Sequence, residues 1–109
     1  MATKANLVID QGATFSADLT MTDEYGNVLI LNGYTANSQM RKWYTSTNAT
    51  ATFTTTIDAN AGLITLSLTA NQTSSITSGR YVYDVEINDG ASVSRIVEGI
   101  VTVTPQVTR

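Results

Sequence analysis

The sequence predicts an all-β fold, an antiparallel sandwich of seven or eight strands with one short helical turn. Apolar and polar residues alternate with period two along most of the 109-residue chain, and that period puts successive side chains on opposite faces of a strand. Clusters of Gly, Asn, Asp and Ser separate the alternating runs, where the chain has to turn. Thr dominates the polar residues, and its branched Cβ suits a pleated surface.

The elements follow in order. Ala5 to Asp10 is a short apolar run ended by Gln11-Gly12 and reads as a first strand. Thr14 to Thr22 sets Phe15, Ala17, Leu19 and Met21 on one face and Ser16, Asp18 and Thr20 on the other, the pattern of a half-buried strand. Asp23 to Asn27 is turn chemistry, and Val28-Leu29-Ile30-Leu31 is a fully apolar segment closed by Asn32-Gly33. Tyr34 to Tyr44 is the next strand, with Ala36 and Met40 toward the core and Trp43 over the strand end. Thr50 to Asp58 alternates Ala51, Phe53, Thr55 and Ile57 against Thr52, Thr54 and Thr56. The turn Asp58 to Gly62 returns it into Leu63 to Leu68, where Ile64, Leu66 and Leu68 share a face.

Thr69-Ala70-Asn71-Gln72 has the spacing of a capping box, so Ala70 to Ile76 is expected to carry the helical turn. In the strand that follows, Tyr81, Tyr83, Val85 and Ile87 line one face. Asn88-Asp89-Gly90 is a hairpin turn, Ala91 to Glu98 pairs back, and Gly99 marks a break or bulge. Ile100 to Val103 completes the sheet before Pro105. No βαβ pattern, internal repeat or linker interrupts this order. Together the runs describe an immunoglobulin-like sandwich, one domain over residues 1–109 with extended ends.

Composition narrows the chemistry. Hydrophobic residues make up 42% of the chain, enough for a folded core, and charged residues only 14%. The net charge is −3 and the six basic residues are scattered apart from Arg41-Lys42, which speaks against a nucleic-acid partner. There is no cysteine and no histidine, so disulfides, thiolate metal sites, cysteine nucleophiles and the usual general base are absent. No G-x-S-x-G or phosphate loop appears. The expectation is a protein that is not an enzyme and takes no cofactor. The N-terminus lacks the apolar run of a signal peptide, and no segment has the ~18 apolar residues of a membrane span. The chain is therefore expected to be synthesised in a cytoplasm and to have no membrane partner.

Three groups of residues invite a functional reading. Asp84 and Glu86 lie two apart on one strand face, and a solvated face paired with Arg95 across the hairpin explains them better than an acid–base pair. Asp23, Glu24 and Asn27, like Asp58 and Asn60, have the chemistry of turns rather than the ligand pattern of a calcium loop. Arg41, Lys42, Trp43 and Tyr44 join two cations to two aromatics and form the candidate protein interface, since Arg and aromatic side chains concentrate binding energy. The competing reading of that stretch is a Trp at the edge of the core with a basic stem laid along it. Tyr81 and Tyr83 read as core positions of a sandwich strand, structural rather than ligand-binding, since a tyrosine near a sheet corner can bury its ring and bond its hydroxyl to nearby backbone.

Several segments together resemble a known group. They are NLVIDQGATFSADLTMTDEYGN, LNGYTANSQMRKWY, GLITLSLTANQTSSITSGRYVYDVEI and RIVEGIVTVTPQVTR. The positions that carry the resemblance are Gln11 to Phe15, Gly33 to Thr35, Met40-Arg41, Leu68 to Thr73, Gly79 to Asp84 and Arg95 to Arg109. The chain is similar to small virion proteins and domains of tailed bacteriophages, especially phages of marine bacteria. In particular it resembles the immunoglobulin-like N-terminal domain of baseplate upper and tail-fibre adaptor proteins. The resemblance implies a β-sandwich in the virion, docked onto other virion proteins as a homo-oligomer or in many copies. A place in the tail or baseplate is favoured over the capsid surface. No receptor-binding domain follows, so an adaptor, accessory or decoration subunit is expected rather than host recognition. The alternatives are a capsid decoration protein and a carbohydrate-binding module that uses Trp43 and nearby tyrosines.

Overall fold

Period-two burial organises the chain into two sheets. A computed structural model describes residues 3–22 and 25–107. The turn residues Asp23 and Glu24, and the end of the C-terminal motif at Thr108 and Arg109, lie outside the described residues. The strands are β1 (Thr3–Lys4), β2 (Leu7–Asp10), β3 (Phe15–Thr20), β4 (Thr35–Arg41), β5 (Ala51–Thr52), β6 (Thr54–Asp58), β7 (Leu63–Leu68), β8 (Gly79–Asn88) and β9 (Val93–Thr104). One short helix, α1 (Ala70–Ser74), joins β7 to β8. The larger sheet runs β1-β9-β8-β4-β5, with β2 also on β9, and the smaller runs β3-β7-β6. Opposing β9-β8-β4 to β3-β7-β6 reproduces the strand order of an immunoglobulin-like sandwich. The strand pairs are antiparallel except at one edge, where β1 and β2 run parallel to β9. The alternation of a single strand carries no information about the direction of its partner.

The residues expected inside are inside. Ile64, Leu66 and Leu68 of β7 and Tyr81, Tyr83, Val85 and Ile87 of β8 are buried, and they meet Ile9, Met40, Val101 and Val103 between the sheets. Leu31 is buried as well, although its segment forms no regular strand and joins the fold by single contacts. The Leu31 N–H donates to the Ala59 carbonyl at 3.0 Å, and Thr22 and Val28 form an isolated bridge.

The run Thr50 to Asp58, expected as one strand, is divided between the sheets. Ala51 and Thr52 pair with β4, whereas Thr54 onward pairs with β7. The chain crosses at Phe53, whose N–H still donates to the Ser38 carbonyl at 2.9 Å. Two residues later the Thr55 hydroxyl donates back to the Ala36 carbonyl at 2.9 Å. The Phe53 ring enters the core, tilted against Phe15 of the smaller sheet at 5.9 Å and edge-on to Tyr83 of the larger at 6.2 Å. Such aromatic pairs are worth about 0.5–1.5 kcal/mol beyond area burial. Alternation stays in phase across the crossing, so nothing in the pattern marks it.

Helix α1 begins as its sequence requires. The Gln72 N–H donates to the Thr69 hydroxyl at 3.2 Å and the Thr69 N–H donates to the Gln72 side-chain carbonyl at 2.8 Å, completing the capping box. The helix ends at Ser74, short of the expected Ile76, which is buried and donates its N–H to the Thr73 carbonyl at 3.1 Å. Next, the Tyr81 hydroxyl donates to the Thr77 carbonyl. This is the tyrosine corner found where immunoglobulin-like chains cross from one sheet to the other.

Gly99 does not hold the bulge. The register shifts between Val85 and Glu86, which face Val97 and Arg95, so Ile96 is the unopposed residue. Gly99 lies inside the ladder opposite Tyr83. A Cβ built on it would stand 2.0 Å from the Ala5 carbonyl oxygen, so the glycine serves a close backbone approach. The same carbonyl accepts the Tyr83 hydroxyl at 2.6 Å. Ala5 and Asn6 are where β1 gives way to β2, and the Asn6 side-chain oxygen accepts the Ile100 N–H there at 3.0 Å.

Replacing Gly99 by Ala is therefore expected to lower unfolding stability by about 1–3 kcal/mol and to loosen the first strand. Urea denaturation and hydrogen exchange at Leu7 to Asp10 measure both effects. Unchanged stability contradicts the close approach.

Candidate docking face

The candidate interface begins where β4 leaves the sheet. Strand alternation puts Arg41 on the outer face, and Lys42, just past the end of β4, is exposed at the end of the sandwich. The Arg41 guanidinium donates to the Ser46 and Thr47 carbonyls, each at 3.1 Å, and to the Gln39 side-chain oxygen at 2.8 Å. These bonds fold the connection after β4 back on itself. The Ser46 hydroxyl accepts the Trp43 N–H at 3.0 Å and tightens the same turn.

Of the four residues singled out in the sequence, Arg41 and Tyr44 share one surface. They line a shallow depression of about 470 Å³ on the outer face of the larger sheet, with Asn37, Gln39, Asp84 and Glu86. Tyr44 is 73% exposed and also borders a second, smaller depression beside Lys4, Glu98 and Ile100. Lys42 is engaged elsewhere. Its ammonium donates to the Arg80 carbonyl at 3.0 Å and lies 4.9 Å from the centre of the Tyr81 ring. Trp43 does not cover the strand end as expected. It is 66% exposed, and the Lys42 ammonium lies between the two rings, 5.8 Å from the Trp43 ring centre and nearer to Tyr81.

The acidic pair sits on a solvated strand face. Asp84 and Glu86 point outward from β8, Glu86 lies opposite Arg95, and the ion pair Arg95 makes is with Glu98, at 3.7 Å. Among the described residues no three acidic groups converge as metal ligands. The tyrosines have the structural surroundings expected of them. Burial raises the Tyr81 hydroxyl pKa and pushes that of Tyr83 up to about 12. At the β8–β9 turn, backbone N–H groups of Ser92 and Ala91 bond to Asp89 at 2.8 Å and hold its carboxyl below the usual range.

Several residues that sequence reasoning did not connect meet at one joint. The Gln11 side chain donates to the Ile76 carbonyl at 2.8 Å and accepts the Gln106 N–H at 2.9 Å. The buried Thr73 hydroxyl accepts the Gly12 N–H at 3.0 Å and donates to the Ala13 carbonyl at 2.8 Å. Gln11, Gly12 and Thr73 all belong to the motifs that carry the resemblance, so those motifs mark structural joints. No family model matches the chain, and no curated protein matches its sequence.

An exposed Trp43 predicts that Trp43→Ala leaves thermal stability within about 0.5 kcal/mol of the parent. Calorimetry checks this, and a larger loss returns the indole to the core edge. A raised Tyr83 pKa has a definite sign as well. The unfolded chain ionises this tyrosine near 10, its ordinary value, and the folded chain keeps the proton to about 12. The resulting stability is whole below pH 10 and declines as pH rises toward 12. Denaturation across that window is expected to show the decline, reduced in Tyr83→Phe.

Proposed function

We propose that the chain is a non-enzymatic structural subunit of a tailed-bacteriophage particle, an adaptor of the tail or baseplate that docks onto other virion proteins. Its sandwich geometry supports the reading. The residues of the resemblance hold the sandwich together at its joints, while the outer face of the larger sheet stays open and presents Arg41 and Tyr44 from a braced turn. A rigid, weakly charged sandwich with an open face suits docking within an assembly. Head decoration would use the same face against a capsid lattice. The protein is expected in purified particles by mass spectrometry, and immunogold labelling is expected at the tail rather than the head. Its absence from particles overturns the proposal, and label on the capsid moves it to decoration.

One observation favours a second reading. Tyr44 stands exposed beside the planar amides of Asn37 and Gln39 and the carboxylates of Asp84 and Glu86, and an aromatic platform ringed by hydrogen-bonding groups suits a sugar. Glycan-array binding that disappears in Tyr44→Ala identifies a carbohydrate-binding module.

A further inference from the structure

The outer face of the larger sheet carries charges that its own strands leave unmatched. Residues form rows across it. Arg41 is opposite Val82, and Val82 is opposite Ile100. The next row holds Gln39, Asp84 and Glu98, and the one after it Asn37, Glu86 and Arg95. Arg80 lies one row beyond Val82 on the other side. Along the two central strands, β8 and β4, the face is thus cationic at Arg80 and Arg41 and anionic at Asp84 and Glu86.

The anionic half brings like charges together. Asp84 and Glu98 are direct cross-strand neighbours, and like charges so placed destabilise a sheet. Glu98 has Arg95 at 3.7 Å and Lys4 opposite in register. Asp84 has no cation opposite it, and the Arg95 opposite Glu86 gives its ion pair to Glu98 instead. Among the described residues no ion pair includes Asp84, Glu86, Arg41 or Arg80. The Arg41 guanidinium bonds to neutral oxygens, which orient it without cancelling its charge. Shape repeats the pattern, since the exposed Tyr44 projects next to a depression of about 470 Å³ on the same face.

We propose that this face binds a second copy of the chain, and that the two larger sheets stack about a two-fold axis lying between the Val82 and Asp84 rows. The operation reverses the rows. It sets Arg80 of each copy over Glu86 of the other, brings Arg41 beside the opposing Asp84, and turns each Tyr44 toward the other depression. Every contact occurs twice, as an isologous interface requires. Four rows and four strands cover about 27 by 19 Å, roughly 500 Å². Tyr44, at about 150–250 Å², raises this toward the ~800 Å² per partner of a specific interface. The inference deepens the multi-copy part of the virion reading and depends on it only for a second copy being at hand.

Sedimentation equilibrium of the full chain tests the proposal. The parent is expected at twice the 11.7 kDa chain mass, with dimerisation weakened by added salt. Arg80→Glu and Glu86→Lys alter exposed positions, and circular dichroism checks that each variant folds. Each alone is expected to self-associate at least about tenfold more weakly, because both copies of the contact become repulsive. Mixed in equal amounts, they are expected to recover a one-to-one dimer, because both contacts then join opposite charges. A monomeric parent, variants that dimerise like the parent, or a folded mixture that stays monomeric overturns the proposal. These outcomes leave the virion reading standing, which is decided by whether purified particles contain the chain.

Discussion

The buried ring of Tyr83 is the contact on which the sandwich depends. It meets Phe53 in a T-shaped contact at the point where the chain changes sheets, and its hydroxyl reaches the Ala5 carbonyl at 2.6 Å, between β1 and β2 along the edge of β9. Gly99, opposite it across the ladder, leaves room for that carbonyl. One side chain therefore couples the crossing between layers to the closure of a sheet edge. Burial also accounts for its raised pKa, because an ionised phenolate would lose its hydrogen-bond donor and face an apolar interior.

A second set of bonds closes one end of the sandwich. Gln11 ties the first turn to the residues after α1 and to the segment beyond β9, and Thr73 fastens the helix to the Gly12–Ala13 backbone. These groups are polar and partly buried, so each lost partner would leave a desolvated donor or acceptor. Such constraints make short motifs recur at fixed spacing, which explains why a resemblance built on them speaks first about fold. The outer face of the larger sheet is under no comparable demand. Its charges and its braced aromatic turn take no part in the core.

The candidate interface was legible in part. Composition marked Arg41 to Tyr44 as a place where binding energy can concentrate, and Arg41 and Tyr44 do meet at one depression. The division of that stretch was not legible. Lys42 and Trp43 are both exposed, and the Lys42 ammonium bonds to the Arg80 carbonyl over the Tyr81 ring, a contact with residues roughly forty positions along the chain. Nor did spacing indicate that Asp84 would stand opposite Glu98, since their pairing follows from the bulge at Ile96.

The sequence by itself determined the class of fold, the inward faces of β7 and β8, the capping box of α1 and the turn at Asp89-Gly90. All of these rest on local periodicity or on bonds between residues a few positions apart. Only the tertiary structure decided that Thr50 to Asp58 serves two sheets, that the first strands run parallel to β9, and that Gly99 admits a carbonyl rather than a bulge. Each of those is a pairing between segments far apart in the chain. Alternation shows which side of a strand is apolar, but not which neighbour, direction or sheet will cover it.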